Sequence, residues 1–322
     1  MAKAIEQIRK SGGWSLTVGH FGLGARGDGV GSVGQQVHDG DTINVRALGN
    51  FGVRFLGIDA PEISLALPGG GPAFVPLSDQ RWEDFLTDPF AGSGGTELKK
   101  KLPPGLLEHL QRGAGPGAAG NQFRHAEAAK QELRSQVEKD LQEVLSAPEE
   151  FRFFLVFASE IMDRYGRLLA FINREARAEP RPLDYNQRLL KNGMVSPYFI
   201  WPNVNPFRKQ ASLLEAVPAP GTANELANSE RTLREARAWT QNARRTRTRG
   251  IFEEHDPLRL HPFEVRFLAG RRPPERRVID LGKNDDVLIP ALDYHTVGNI
   301  EDRLFIPTEY VALFKEKGWR AP

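Results

Sequence analysis

The chain has no cysteine. That absence excludes disulfides, thiolate zinc sites and cysteine nucleophiles together. Long apolar runs are also lacking. No stretch approaches the ~20 apolar residues that a membrane span needs. The opening residues, MAKAIEQIRKSGGWSLTV, hold no continuous apolar segment of the kind a secretory signal requires. These absences give a cytoplasmic expectation, with an exported mature form left open, and no membrane partner. A large excess of either sign of charge is absent as well. The net charge is +2, so no global basic field announces a polyanion, although the arginines are clustered enough for a local basic groove. What is present is ordinary for a soluble protein. At 322 residues and 40% hydrophobic content the chain can bury a sizeable core in one large or two small domains.

Residues 1–32, glycine-rich after Ser11 (GHFGLGARGDGVG), read as a short helix or tail followed by loops or a loose hairpin. GLGARGDG lacks the G-K-[ST] ending and the strand-to-helix setting of a phosphate loop, so a flexible loop is expected there. Residues 43–47 and 53–58 alternate apolar and polar side chains around Gly49-Asn50, the pattern of a hairpin. Residues 64–122 carry LPGGGP, GSGG, LPPG and GAGPGAAG and read as a long loop with a helical fragment or two. Apolar residues at helical spacing predict a helix over 124–145. Strands are expected at 151–158 and 168–173 around the turn DRYGR, and helices at 185–190 and 224–246. Residues 256–322 look like a separate extension, with strands at 263–268 and 278–281 and a helix at 308–317. The expected organisation is an N-terminal segment (1–32), a central domain (33–255) interrupted by the 64–122 insertion, and the extension.

Chemistry concentrates between residues 37 and 62, VHDGDTINVRALGNFGVRFLGIDAPE. Two carboxylate clusters, Asp39–Asp41 and Asp59–Glu62, flank a single arginine on the second strand, Arg54. A second arginine, Arg167, closes the DRYGR turn. Carboxylates suit a hard cation bound through oxygen, and arginine forks suit phosphate oxygens. The histidines show no ligand spacing, and only His38 lies beside the acids, so zinc is not expected. One geometric requirement follows. Arg54 and Asp59 are five positions apart, so strict strand alternation puts them on opposite faces. The chain must leave strand geometry before Asp59 if both are to meet one phosphate, and Pro61 makes a departure plausible.

In order and spacing, VHDGDT, VRFLGIDAPE and DRYGRLLAFI resemble the staphylococcal nuclease (thermonuclease-like) family. LLKNGMV at 189–195 and GIFEE at 250–254 add weaker support, and the resemblance covers roughly 33–255. It implies an α+β fold, an OB-type five-stranded β-barrel with flanking helices. It implies calcium-dependent hydrolysis of DNA and RNA to 3′-phosphate and 5′-hydroxyl ends, with nucleic acid as the partner. By the same resemblance Asp41, Asp59 and the Ala60 carbonyl would bind calcium, and Glu62 would activate the attacking water. Arg54 and Arg167 would hold the phosphate. Asp39 matches an acidic residue beside the metal, Tyr165 a tyrosine near the phosphate, and Tyr198 or Phe199 an aromatic that stacks on a base. The alternative is a non-catalytic nucleic-acid- or protein-binding module on the same fold. ARRTRTRG (243–250) and RRPPERR (271–277) suit either a nucleic-acid contact or a solvated charged face.

Overall fold

The computed structural model describes residues 3–9, 15–37, 42–71, 73–144, 151–175, 181–204 and 212–322. Two compact units divide the chain: Met1–Arg54 with Glu160–Ala170, and Phe55–Ser159 with Phe171–Pro322. This division differs from the linear one expected above, because the 256–322 segment shares its unit with most of the central region.

The first unit is made of short strands. β1 (Ile5–Arg9) and β2 (Ser15–Gly19) pair antiparallel, with Ile5 opposite Gly19. β3 (Phe21–Leu23) follows, then the small ribbon β4 (Ala25–Arg26) and β5 (Gly29–Val30), then the single turn α1 (Val33–Gln36). β6 (Val45–Ala47) pairs with β3, and not with β7 (Val53–Phe55) as the expected hairpin required. The hydrogen bonds explain the change of partner. Leu48 N–H donates to the His20 carbonyl (2.9 Å), and Asn50 accepts from Ala4 N–H (3.0 Å). The Gly49-Asn50 turn is thus drawn onto the N-terminal strands.

The second unit begins with β8 (Gly57–Asp59) and the hairpin β9 (Ser64–Ala66) and β10 (Phe74–Pro76). Three helices fill the segment expected to be mostly loop: α2 (Gln80–Thr87), α3 (Gly92–Lys100) and α4 (Pro104–Gly113). Their start signals are local. Asp79 caps α2 by accepting from Arg81 N–H, and Pro104 opens α4 at a position that needs no N–H partner. α5 (Ala118–Glu143) covers most of the expected helix and starts earlier. β11 (Phe153–Met162) and β12 (Leu168–Arg174) each cross the division between the units and flank the DRYGR turn, which belongs to the first; β12 lies between β11 and β7 in sheet order. α6 (Tyr185–Lys191) and β13 (Ser196–Ile200) follow, then the short α7 (Leu213–Ala216). The helix expected over 224–246 is divided at Glu230, whose backbone is extended, into α8 (Ala223–Ser229) and α9 (Arg231–Thr246).

Residues 263–268, expected as a strand, form α10 (Pro262–Ala269). A short apolar run does not distinguish strand from buried helix. Pro262 at the first helical position and reciprocal capping between His261 and Glu264 decide for the helix. β14 (Arg277–Asp280), β15 (Arg303–Ile306) and α11 (Val311–Glu316) complete the chain. One sheet carries the order β14-β15-β13-β8, with β13 parallel to β15 and antiparallel to β8. Among the described residues the strands form six small sheets, none closed into a barrel.

Two apolar cores sit in the second unit. One gathers Ile58, Leu189, Phe199, Trp201, Leu233 and Phe314. The other joins the insertion to the extension: Trp82, Leu86, Leu106 and Leu110 pack with Val265, Leu268, Tyr294 and Phe305. The two segments outside the family resemblance therefore complete each other.

Candidate active site

The departure from strand geometry required before Asp59 occurs at residues 56–57. β7 ends at Phe55, and Gly57 takes φ +74°, a conformation that L side chains rarely adopt. Asn186, almost fully buried, holds the break by donating from Nδ2 to the Leu56 carbonyl (2.8 Å). β8 then delivers Asp59 opposite Ser196 of β13. The Asp59 side chain is 4% exposed and that of Glu62 20%. Ala60 between them is exposed and Pro61 is buried.

A guanidinium from α10 faces this acid pair. Arg266 Nη1 donates to Asp59 Oδ1 (2.9 Å) and to Glu62 Oε1 (2.5 Å), and Nη2 donates to Asp59 Oδ2 (2.7 Å). The Asp59 contact is the two-pronged arginine–carboxylate geometry, the strongest of the charge-assisted pairs. Burial works against a charged guanidinium here, but the Asp59 and Glu62 carboxylates outweigh it and hold Arg266 well above its usual range.

The position of α10 is set by residues on either side of Arg266. Val265 and Leu268 are completely buried. Glu264, also buried, accepts at Oε1 from His109 Nε2 (2.8 Å) and from the Tyr294 hydroxyl (2.6 Å), and at Oε2 from His261 N–H (2.7 Å). Burial alone would raise the Glu264 carboxyl, yet the His109 hydrogen bond and the nearby His261 bring it down to about 2. Burial pushes the His261 imidazole down to about 4. Ser196 Oγ lies 3.3 Å from His261 Nδ1, which ties the helix start to the strand opposite Asp59.

The first unit holds the two arginines expected to bind phosphate. Arg54 is the middle residue of β7. Arg167 closes a turn organised by Asp163, whose Oδ1 accepts from Tyr165 N–H (2.9 Å) and Arg167 N–H (3.0 Å) and whose Oδ2 accepts from Arg167 Nε (2.8 Å). Gly166 sits at φ +79°, where a Cβ would overlap the Ile5 side chain. Tyr165 is exposed, with the Arg167 guanidinium 5.4 Å from its ring centre.

Of the residues read from sequence, Asp59, Ala60 and Glu62 thus lie together in one unit and Arg54, Arg167 and Tyr165 in the other. Asp39 and Asp41 fall outside the described residues. Tyr198 and Phe199, expected to stack on a base, are 5% and 2% exposed. Tyr198 instead stacks on Phe263 with ring centres 5.5 Å apart, and its hydroxyl accepts from Arg276 (2.6 Å). Phe199 belongs to the first apolar core.

Calcium, the ion that the resemblance implies, takes 6–8 oxygen ligands. Both Asp59 oxygens and one Glu62 oxygen are engaged by Arg266. Among the described residues no group of three or more His, Asp or Glu side chains is gathered as for a metal. As arranged, Asp59 and Glu62 are engaged by a guanidinium, and Asp41, the other carboxylate expected at the metal, lies outside the described residues.

Several arginines of the basic clusters have partners within the fold, although Arg245, Arg247, Arg249, Arg272 and Arg276 are exposed. Arg244 donates to Asn299 and Glu301, and Arg249 to Asn192. Arg271 donates to the Pro89 carbonyl and covers the Phe85 ring, while Arg277 donates to the Leu288 and Pro322 carbonyls. Arg266 had no mark in the sequence reading, because 263–268 was expected as a strand. The His261/Glu264 spacing at a helix start was the signal that would have put it on a helix. A scan of protein-family models and searches of curated proteins and of solved structures found no match to this chain. No helix of the described residues is long and apolar enough to cross a membrane.

Proposed function

We propose that this chain is a nuclease of the thermonuclease-like kind, with residues 33–255 built on an OB-type plan. It would hydrolyse phosphodiester bonds of DNA and RNA to 3′-phosphate and 5′-hydroxyl ends, with calcium as its ion. The observation that carries the reading is the break at Gly57. It is the departure that the Arg54–Asp59 spacing needs for a shared phosphate site, and it is fixed by a positive φ and by Asn186. A phosphodiester is shielded by its own charge, so a catalyst must neutralise it and place a water in line. Arg54 and Arg167 supply permanent planar cations for phosphate oxygens. Glu62, partly exposed, supplies a carboxylate that orients or deprotonates water.

The test is cleavage of single-stranded DNA by the purified chain in calcium and in chelator, with end-group analysis of the products. Cleavage is expected only with calcium, and Arg54→Ala and Glu62→Gln should lower its rate by at least about 100-fold. Equal rates in chelator would remove the metal from the reading.

A second reading, the non-catalytic nucleic-acid- or protein-binding module, is favoured by one observation. The three Arg266 hydrogen bonds engage the carboxylates that the chemistry would use. DNA binding without cleavage, unaffected by Glu62→Gln, would favour it over the first.

A further inference from the structure

We propose that the loop 271–277 is a phosphate-binding edge of the Asp59/Glu62 site, with Arg272 and Arg276 as its contacts for the backbone of single-stranded nucleic acid. The proposal deepens the nuclease reading and rests on it. Its first ground is charge. The loop, RRPPERR, sets four arginines against one glutamate, Glu275. Elsewhere Arg237, Arg244, Arg266 and Arg320 each end on a carboxylate. Among the described residues none of the four loop arginines does. Arg271 and Arg277 donate to backbone carbonyls and Arg276 to a hydroxyl, while the Arg272 side chain has no protein acceptor. Arg272 and Arg276 are exposed. Exposed guanidinium groups without a carboxylate suit phosphate oxygens.

The second ground is position. On paired β13 and β8, Ser196 lies opposite Asp59 and Tyr198 opposite Gly57. Residues two apart in a strand share a face, and diagonal cross-strand neighbours lie about 7–8 Å apart. Tyr198 therefore stands on the sheet face that carries Asp59. Burial lowers Arg266, Asp59 and Glu62 raise it, and Tyr198 adds to them, which places the phenol near the same guanidinium. The Tyr198 hydroxyl accepts from Arg276 Nη1 (2.6 Å), so one phenol links the acid pair to the exposed arginine. The loop is also held at both ends. Arg271 leaves α10 with a left-handed backbone (φ +51°), and the N–H groups of Arg271 and Arg272 donate to the Leu268 and Phe267 carbonyls (3.0 and 3.1 Å). Pro273 and Pro274 restrict the backbone that follows. The Glu275 carbonyl accepts from the Thr308 hydroxyl (3.0 Å), and β14 starts at Arg277. A loop fixed in this way loses little further freedom when it binds.

The test is fluorescence anisotropy of a labelled oligothymidylate bound to the full chain, in chelator, at stepped salt concentrations. Arg276→Gln should lower the slope of log affinity against log salt by about 0.7, the single-strand value for one lost phosphate contact. Arg276→Lys keeps the charge and should keep the slope. Arg272→Gln should lower the slope by a similar amount. It has no side-chain partner to lose, so it decides the matter if Arg276→Gln fails to fold. Arg134→Gln, at an exposed arginine paired with Glu138 on α5, should leave the slope unchanged. The proposal is overturned by wild type that does not bind, by an unchanged slope in either folded loop variant, or by an equal loss in Arg134→Gln. Cleavage of the same oligonucleotide by wild type in calcium is scored separately. Cleavage with unchanged slopes keeps the nuclease and removes the loop from it. Lowered slopes without cleavage remove the nuclease and leave the loop as the contact of a binding module.

Discussion

Two arginine–carboxylate pairings in this molecule are built in opposite ways. Arg167 meets Asp163 four positions away, across a turn that Asp163 also organises through two backbone N–H groups. Arg266 meets Asp59 from 207 positions away and reaches it only because a helix of the C-terminal segment is packed into a core. The Arg167 side chain is 40% exposed and that of Asp163 15%, whereas Asp59 is 4% exposed. The first pairing is a property of a pentapeptide and the second a property of the fold. Disrupting the first should be a local event, and disrupting the second should be felt by the whole unit.

The largest expected effect is on Asp59. Asp59→Ala leaves the Arg266 guanidinium without its fork partner and should cost about 3–5 kcal/mol, read as a lower denaturant midpoint. A loss below about 1 kcal/mol would put the two pairings in the same class. Next is the core that carries α10. Leu110 is fully buried between the insertion and the extension, and Leu110→Ala should cost about 2–5 kcal/mol. A negligible loss would return residues 64–122 to the status of a loop.

Acid should weaken the support of the long-range pairing in two stages. His261 is depressed from 6.5 to about 4, so its contribution is present above pH 6.5 and is lost as pH falls towards 4. Glu264 is depressed from 4.5 to about 2, so its contribution is lost between those values. Stability should fall on acidification through both windows, and His261→Gln should flatten the upper one in urea titrations at stepped pH. The smallest effect on stability belongs to Arg167→Ala, about 0–1 kcal/mol, because its ion pair is half-exposed. The same variant should lower cleavage by orders of magnitude if the nuclease reading holds, so stability and activity would separate at the local pairing.

What could be read from sequence follows the same contrast. The 185–190 and 124–145 helices, the strands around DRYGR and the bend before Asp59 rest on near neighbours: spacing, a capping Asp184, Gly57, Gly166. The partner of β6 did not show, because it depends on where the N-terminal strands lie. The burial of Tyr198 did not show either, since its covering rings, Phe263 and Phe305, come from the extension. Glycine-rich punctuation in 64–122 suggested loop, but Trp82, Leu86, Leu98, Leu106 and Leu110 carry a buried stripe between those glycines. Arg266 was hidden for both reasons. Its helix was mistaken for a strand, and its targets lie 204 and 207 residues upstream.

The distance between Asp59 and Arg266 also has a meaning in time. A ribosome adding roughly 5–20 residues per second delivers Asp59 tens of seconds before the arginine 207 positions later. Over that interval the nascent chain carries both acids, Asp59 and Glu62, before the guanidinium exists. β13 likewise waits for β15, its parallel neighbour from residues 303–306. The segment made later is therefore the one that joins the sheet, completes the second core and changes the charge of the acid pair, so this centre is set only after residues 262–306 have been made.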